Sequence, residues 1–313
     1  MKSTNKFKTL ALLLSVGIFL TFSTSSCKKD DPAPVVTPTV VGLAQSDTTL
    51  SILVSAVTKA GLVATLSDLT KSYTVFAPTN AAFRAAGFPQ TVIDALTPAQ
   101  VSTVLTPILT YHVLGSKVIS TSVPVSDAVV TLNGKNLFAS RNANGVFLNG
   151  IKVTTADLNG SNGVVHKING VLVPPTQSIA EIVTSNPNFS LLLTAVVRAG
   201  LAGALSGAGK YTVFAPVNSG FPSTLDTDAE INAAPVADVL GIVGTHAFST
   251  NIFASDLTNG PTGPTLNTTK TLTVSTSPVT VKITGSSAGV SAVTTANVVA
   301  TNGVIHIIDK VLL

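Results

Sequence analysis

The apolar positions of the chain follow two rhythms. Leu50, Leu53, Val54 and Val57 recur at i, i+3, i+4 and i+7, and Phe189, Leu192, Leu193 and Val196 repeat that spacing. This is the period of a helix with one face on a core. Asn186-Pro187 places a cap and a first-turn proline ahead of the second helix. Gly61 and Gly200 stand where a helix end takes a left-handed residue, and Lys59 and Arg198 sit in the last turns, where a cation suits the helix dipole. Next comes YTVFAP (73–78 and 211–216), whose β-branched and aromatic residues favour a strand that proline ends. TNAAFRAAG then predicts a helix capped by Thr79 or Asn80. In the second half SGFPS is interrupted by Gly220 and Pro222, which predicts a reduced helical segment there. Farther on the rhythm changes to alternation. Leu272, Val274, Val279, Val281 and Ile283 alternate in part with Thr and Ser, and GVVHKINGVLVP and GVIHIIDKVLL close each half as strands. Helices early and strands late in each half predict an α+β fold.

The two halves are one unit written twice. SAVTKAGLVATL (55–66) matches TAVVRAGLAGAL (194–205), and YTVFAPTNAAF (73–83) matches YTVFAPVNSGF (211–221). VTTADLNGSNGVVH (153–166) matches VTTANVVATNGVIH (293–306). The near-constant offset, close to 140 residues, is the length of a whole domain and far exceeds a solenoid repeat of about 20–50 residues. The expected organisation is a processing segment over 1–26, a proline-rich spacer over 27–41, and domains over 42–174 and 176–313. Pro174-Pro175 makes the linker short and stiff.

The beginning of the chain changes the charge picture. Lys2, Lys6 and Lys8 precede a short apolar run over 9–22, then small residues, then Cys27, the one cysteine of the sequence. That order describes an export signal. A cysteine directly after the small residues resembles a bacterial lipoprotein signal, in which Cys27 is lipidated and anchors the mature chain to a membrane. The alternative is an ordinary secretory signal with an incidental cysteine. Asp30-Asp31 resembles the surface-export signals of some Gram-negative lipoproteins, which predicts an outer-membrane protein facing outward. Of 313 residues, 18 are Lys or Arg and 14 are Asp or Glu. Without the three lysines of the signal the balance falls from +4 to +1. The mature chain has no basic cluster, so nucleic-acid binding loses its electrostatic basis. With a single cysteine, neither a disulfide framework nor a cysteine-based zinc cluster is available. Charged residues make up 10% of the chain, against about 25% in an average domain. Short Ser, Thr and Asn side chains take their place outside.

The blocks YTVFAPTNAAF and NGVVHKINGVLVP, with Tyr111-His112 between them, resemble the two boundary motifs and the central Tyr-His motif of a fasciclin domain. The second unit repeats them as YTVFAPVNSGF, THAFS and NGVIHIIDKVLL. The resemblance covers both units. It implies a wedge of about seven strands with a cluster of helices, and extracellular adhesion or matrix interaction without catalysis. It also implies a secreted or surface-anchored protein. In animal relatives the Tyr-His region is tied to receptor binding. Only the dipeptide matches here, and Thr245 replaces the tyrosine in the second unit, so no receptor carries over.

The residues that could carry chemistry recur in both units. They are Tyr73 and Tyr211, Asn80 and Asn218, His112 and His246, and His166 and His306, with Tyr111 in the first unit alone. A metal or acid–base site would want carboxylates or thiolates at ligand spacing beside the histidines, and none stands there. The competing reading is buried imidazole holding backbone groups. Asn80 and Asn218 share an A-P-x-N pattern that reads as a cap or loop clamp. Gly285-Ser286-Ser287-Ala288-Gly289 fits G-x-S-x-G, but strand-like segments flank it on both sides where a nucleophile elbow needs strand then helix. The matching stretch of the first unit, SRNANG, reads as a hairpin turn. These considerations leave a surface-anchored protein of adhesion or matrix interaction with no catalytic residue, no metal and no cofactor. Its partner would be an extracellular protein or glycan. Two alternatives stand beside it: a glycan-capturing accessory lipoprotein of an outer-membrane uptake system, and a hydrolase using Ser287. Replacing His166 or His306 by alanine should cost about 1–3 kcal/mol through unsatisfied backbone partners. Urea melts of His166→Ala that match the parent chain would overturn the buried-imidazole reading.

Overall fold

The computed structural model describes residues 37–285 and 289–313. The segment over 1–26, Cys27 and Ser287 lie outside the described residues. Each repeat forms an α+β domain. In the first, α1 (Val40–Gln45), α2 (Ser51–Lys59) and α3 (Val63–Leu66) precede β1 (Tyr73–Pro78). Then come α4 (Asn80–Ala85), α5 (Gln90–Ala95), α6 (Pro98–Gln100), a π turn over Val101–Leu105, and α7 (Thr106–Tyr111). The strands β2 (Val113–Leu114), β3 (Ser126–Val130), β4 (Asn136–Asn142), β5 (Gly145–Leu148), β6 (Ile151–Gly160) and β7 (Gly163–Ile168) complete it. The second domain repeats the plan. Its helices are α8 (Ile179–Ser185), α9 (Ser190–Arg198), α10 (Ala202–Ser206), α11 (Asp228–Ala233) and α12 (Val236–Thr245). Its strands are β8 (Tyr211–Pro216), β9 (Ala247–Phe248), β10 (Gly260–Pro264), β11 (Thr271–Thr276), β12 (Val279–Ile283), β13 (Ser291–Ala300) and β14 (Gly303–Ile308).

The sheets run β2-β1-β7-β6-β5-β4-β3 and β10-β11-β12-β13-β14-β8-β9, the same order read from opposite ends. All pairings are antiparallel except β1 with β7 and β8 with β14. These parallel strands are the centre of each domain, and β1 is buried along its whole length. Side chains of a strand alternate between faces. Tyr73, Val75 and Ala77 therefore join the core under the helices with Leu53, Val57 and Phe83, while Phe76 joins a second core with Tyr111, Leu137, Leu148 and Ile168. Val213 and Ala215 against Phe214 divide in the same way in the second domain.

Local signals are met where the pattern placed them. Gly61 and Gly200 take φ of 69° and 71° after α2 and α9. Asn186 caps a short 3-10 turn that Pro187 opens. Thr79 caps α4, its hydroxyl accepting from the Ala82 amide. At the matching place in the second domain only a 3-10 turn forms, Asn218–Gly220. SRNANG carries the turn between β4 and β5, at Ala143-Asn144. A closer constraint sits where the central strands begin. Gly163 and Gly303 have φ of 155° and 156°, and a Cβ there would lie 2.1 Å from the Tyr73 carbonyl oxygen and 2.0 Å from that of Tyr211. Only glycine lets the parallel strands approach this closely.

The first domain begins earlier than residue 42. Val40 and Val41, which the sequence pattern puts in the spacer, open α1 and are buried in the core. The Ser161 amide donates to the Pro38 carbonyl at 2.9 Å, as the Thr301 amide donates to Gln177 at 2.9 Å in the second domain. The apolar Val-Val pair is needed to cover α2 and is spent inside the fold.

The two domains also meet. Phe138 of β4 packs against Phe253 with ring centroids 6.1 Å apart, and Val304 of β14 joins them in a buried cluster. The Ser140 hydroxyl donates to Asp256 Oδ1 at 2.6 Å, and Asn142 Nδ2 donates to the Ser255 carbonyl at 2.9 Å. Lys210 and Asp127 form an ion pair across the same boundary. Truncating Phe253 to alanine should cost about 3–5 kcal/mol. It should also split the calorimetric unfolding of the pair into two transitions. A single unshifted transition in the variant would contradict the coupling.

Candidate functional site

The repeated polar residues act on backbone groups that the sheets leave unpaired. His112 follows α7. Its Nε2 accepts the Leu172 amide at 2.9 Å, so the proton resides on Nδ1, which donates to the Ile108 carbonyl at 2.8 Å. His246 does the same between the Leu312 amide and the Ile242 carbonyl. The carbonyls of both histidines accept amides from the central strands, Phe76 at 2.9 Å and Phe214 at 2.8 Å. Each imidazole thus ties a helix end, a terminal segment and the sheet centre together.

His166 and His306 hold the opposite tautomer. Nδ1 of His166 accepts the Asp157 amide at 3.2 Å, and Nε2 donates to the Val118 carbonyl at 2.9 Å. His306 bridges the Asn297 amide and the Ile252 carbonyl. Asp157 and Asn297 both have φ of 61° at a bulge in β6 and β13, which turns their amides towards the rings. The rings stack on Phe76 at 5.7 Å and Phe214 at 5.1 Å. All four imidazoles therefore have one nitrogen donating and one accepting, leaving no lone pair for a metal or a substrate proton. Burial lowers the pKa of His112 and His246 to about 4 and also lowers that of His306. Among the described residues no group of three His, Cys, Asp or Glu could hold a metal ion.

Asn80 caps a helix from a distance. No side chain next to α2 satisfies its first amides, so Asn80 Oδ1 accepts the Ile52 amide at 2.9 Å while Nδ2 donates to the Thr48 carbonyl and the Ser51 hydroxyl. Asn218 serves Leu191, Pro187 and Ser190 in the same way. Tyr73 donates to the Thr65 carbonyl, and half-buried Tyr211 lies with its ring against Gly209. Tyr111 is fully buried. Its hydroxyl donates to the Asn136 carbonyl at 2.8 Å and accepts from Asn149 Nδ2 at 2.9 Å, and burial raises its pKa to about 12. In the second domain the shorter Thr245 donates to Gly241 and accepts from Asn267, which fills the space beside Gly244.

The structure gathers Tyr111, His112 and His166 around the Phe76 core and sets Tyr73 and Asn80 on the helix side. None of them opens onto one shared cavity. Two of the surface concavities are the largest in volume among those described. A cleft of about 530 Å³ lies between the domains, bounded by Gly150, Val173, Pro175, Asn297 and Val299. A shallow groove of about 490 Å³ lies on the first domain, lined by Thr48, Thr49, Arg84, Thr155 and Lys167.

A family model described as the fasciclin domain matches residues 48–174 and 187–313. This chain belongs to the fasciclin family. It is 31% identical to transforming growth factor-beta-induced protein ig-h3 of Sus scrofa over 77% of this chain and 35% of that protein. It is 39% identical to protein sll1483 of a Synechocystis species over 44% of this chain and 74% of that protein. The solved domain pair of the insect cell adhesion molecule fasciclin I covers 85% of this chain at 20% identity, with a TM-score of 0.40. The chain spans about a third of the length of ig-h3.

Sequence reasoning missed a second pair of clamps in these fasciclin domains. Asn162 Oδ1 accepts the Val40 amide while Nδ2 donates to the Leu66 and Asp68 carbonyls. Asn302 holds Ile179, Leu205 and Gly207 likewise. The signal was present, because Asn-Gly recurs at the same place in both repeats. The groove carries no such mark, since its charged residues Arg84 and Lys167 are not repeated in the second half.

The buried histidines set a pH dependence. With folded values near 4 for His112 and His246 against 6.5 in a free chain, the unfolded state takes up protons first as pH falls. Their stabilisation is complete above the free-chain value and declines below it, by about 1.4 kcal/mol per pH unit for each histidine. Urea melts from neutral pH downward should show this loss, and replacing His112 by glutamine should flatten the part belonging to the first domain.

Proposed function

We propose that this chain is an extracellular, surface-held protein of adhesion or matrix interaction, in which the paired fasciclin domains form a binding and structural unit. The observation that carries this reading is the occupation of every shared histidine. All four imidazoles hold backbone groups on both nitrogens, so the residues the repeats have in common maintain the framework. What remains for function is the surface, which is rich in hydroxyl and amide groups. Family membership supports the extracellular setting.

The basic start, the apolar run over 9–22 and Cys27 support attachment as a lipoprotein, with the outward face of an outer membrane favoured by Asp30-Asp31. A buried acyl chain contributes about 0.8 kcal/mol per methylene, so several chains on one cysteine hold a protein durably. Among the described residues no helix is long and apolar enough to cross a membrane.

Beads coated with the mature chain should be retained on the native cell surface or its matrix more than beads coated with an unrelated protein. Equal retention would count against adhesion. A fatty-acid probe fed to cells should label the parent chain and leave Cys27→Ser unlabelled, and protease added to intact cells should remove the anchored form. Equal labelling of both chains would rule out Cys27 as the anchor.

A further inference from the structure

The groove on the first domain carries charged residues that its counterpart in the second domain lacks. Arg84, on α4, is exposed, and its guanidinium makes no hydrogen bond or ion pair among the described residues. Lys167, on β7, is mostly covered and pairs with Asp47, and its Nζ also donates to the Thr49 hydroxyl at 3.2 Å. Hydrogen bonds from Lys167 and Thr49 lower the Asp47 pKa to about 2, so its carboxylate is charged at neutral pH. Two cations and one anion leave a single uncompensated positive charge, on Arg84. Around it the Thr48 and Thr155 hydroxyls make no hydrogen bond to other described residues.

The second domain shows that the fold does not need these groups. Asn218 holds its helix as Asn80 does, and Ile307 stands opposite Ala215 in the register that sets Lys167 opposite Ala77. Yet the charged positions are replaced. Asp47, Thr48, Arg84 and Lys167 correspond to Asn186, Pro187, Pro222 and Ile307 in the repeat alignment. The framework is kept while the charges are not, which separates the groove from the structural clamps beside it.

We propose that this groove binds a uronic-acid residue of an acidic polysaccharide, which gives the adhesion reading, on which it rests, a ligand class. A planar carboxylate matches the fork of the Arg84 guanidinium, and one free cation suits one negative charge per sugar. The ring hydroxyls find partners in Thr48, Thr155 and Lys167, which line the groove. The Asp47 carboxylate would repel a densely acidic peptide. No aromatic ring lines the groove, so binding rests on polar contacts and weakens with salt.

The test titrates the mature chain with a short oligogalacturonate and with a neutral galactan oligomer of equal length, by calorimetry. Saturable binding of the uronate is expected, at least about tenfold tighter than the neutral oligomer. Arg84→Ala and Lys167→Ile should each weaken it about tenfold, as loss of a charged hydrogen bond does, with melting temperatures close to that of the parent chain. No uronate binding by the parent chain, or equal binding by both folded variants, overturns the proposal. The bead assay keeps the two readings apart. Retained beads without uronate binding would sink the groove alone, and uronate binding without bead retention would sink adhesion alone.

Discussion

Each domain depends on a parallel strand pair buried on both faces. β1 with β7, and β8 with β14, have apolar cores above and below, so no water reaches the backbone groups at their ends. An unpaired amide or carbonyl there would cost about 1–3 kcal/mol. The neutral histidines, the asparagine clamps and the threonine hydroxyls supply the missing partners. Thr74, for example, donates to Ser116 and accepts from Val118, and Thr212 does the same for Thr250 and Ile252. The glycine that opens β7 or β14 belongs to the same constraint, because the strands could not start so close together with a side chain in between.

That constraint explains what the sequence made legible. Residues serving the central pair are confined by backbone geometry, so they recur in both halves and announce themselves by repetition. YTVFAP, the four histidines and Asn80 with Asn218 were readable for this reason. The helix rhythm of Leu50, Leu53 and Val57 was readable because a single face must be apolar. Val40 and Val41 were harder, since two valines after a run of prolines carry no period of their own. Phe138 and Phe253 could not be found, because their contact is made by the way one domain meets the other. The groove was invisible for the opposite reason from the clamps: its residues lie on separate elements, and its charged members Arg84 and Lys167 have no charged counterpart in the second half.

Comparing the two copies within one chain separates framework from surface more sharply than either copy could. Tyr111 against Thr245 is a change in the framework, compensated by Asn267, whose amide donates to the shorter hydroxyl as well as to the Gly241 carbonyl. Lys167 against Ile307, where the strand register is the same, goes with Asp47 against Asn186, so the ion pair is absent as a unit. The first kind preserves a hydrogen-bond network under substitution. The second kind alters what the domain offers to the outside.

The attachment of α1 has a mechanical consequence. The chain enters the first domain at Pro38, whose carbonyl takes the Ser161 amide, and Val40 is held by Asn162. Both the Ser161 donor and the Asn162 clamp belong to the turn between β6 and β7. Tension arriving from the N-terminal side is therefore delivered to the end of the central strand rather than to the outer helices. Asn162 also grips the chain after α3, so the load is shared between two segments of the domain before any strand must slide. Under a pull from that side this junction is a strain-relief point: it must give way before α1 can peel, while the sheet that carries the domain's identity stays closed behind it.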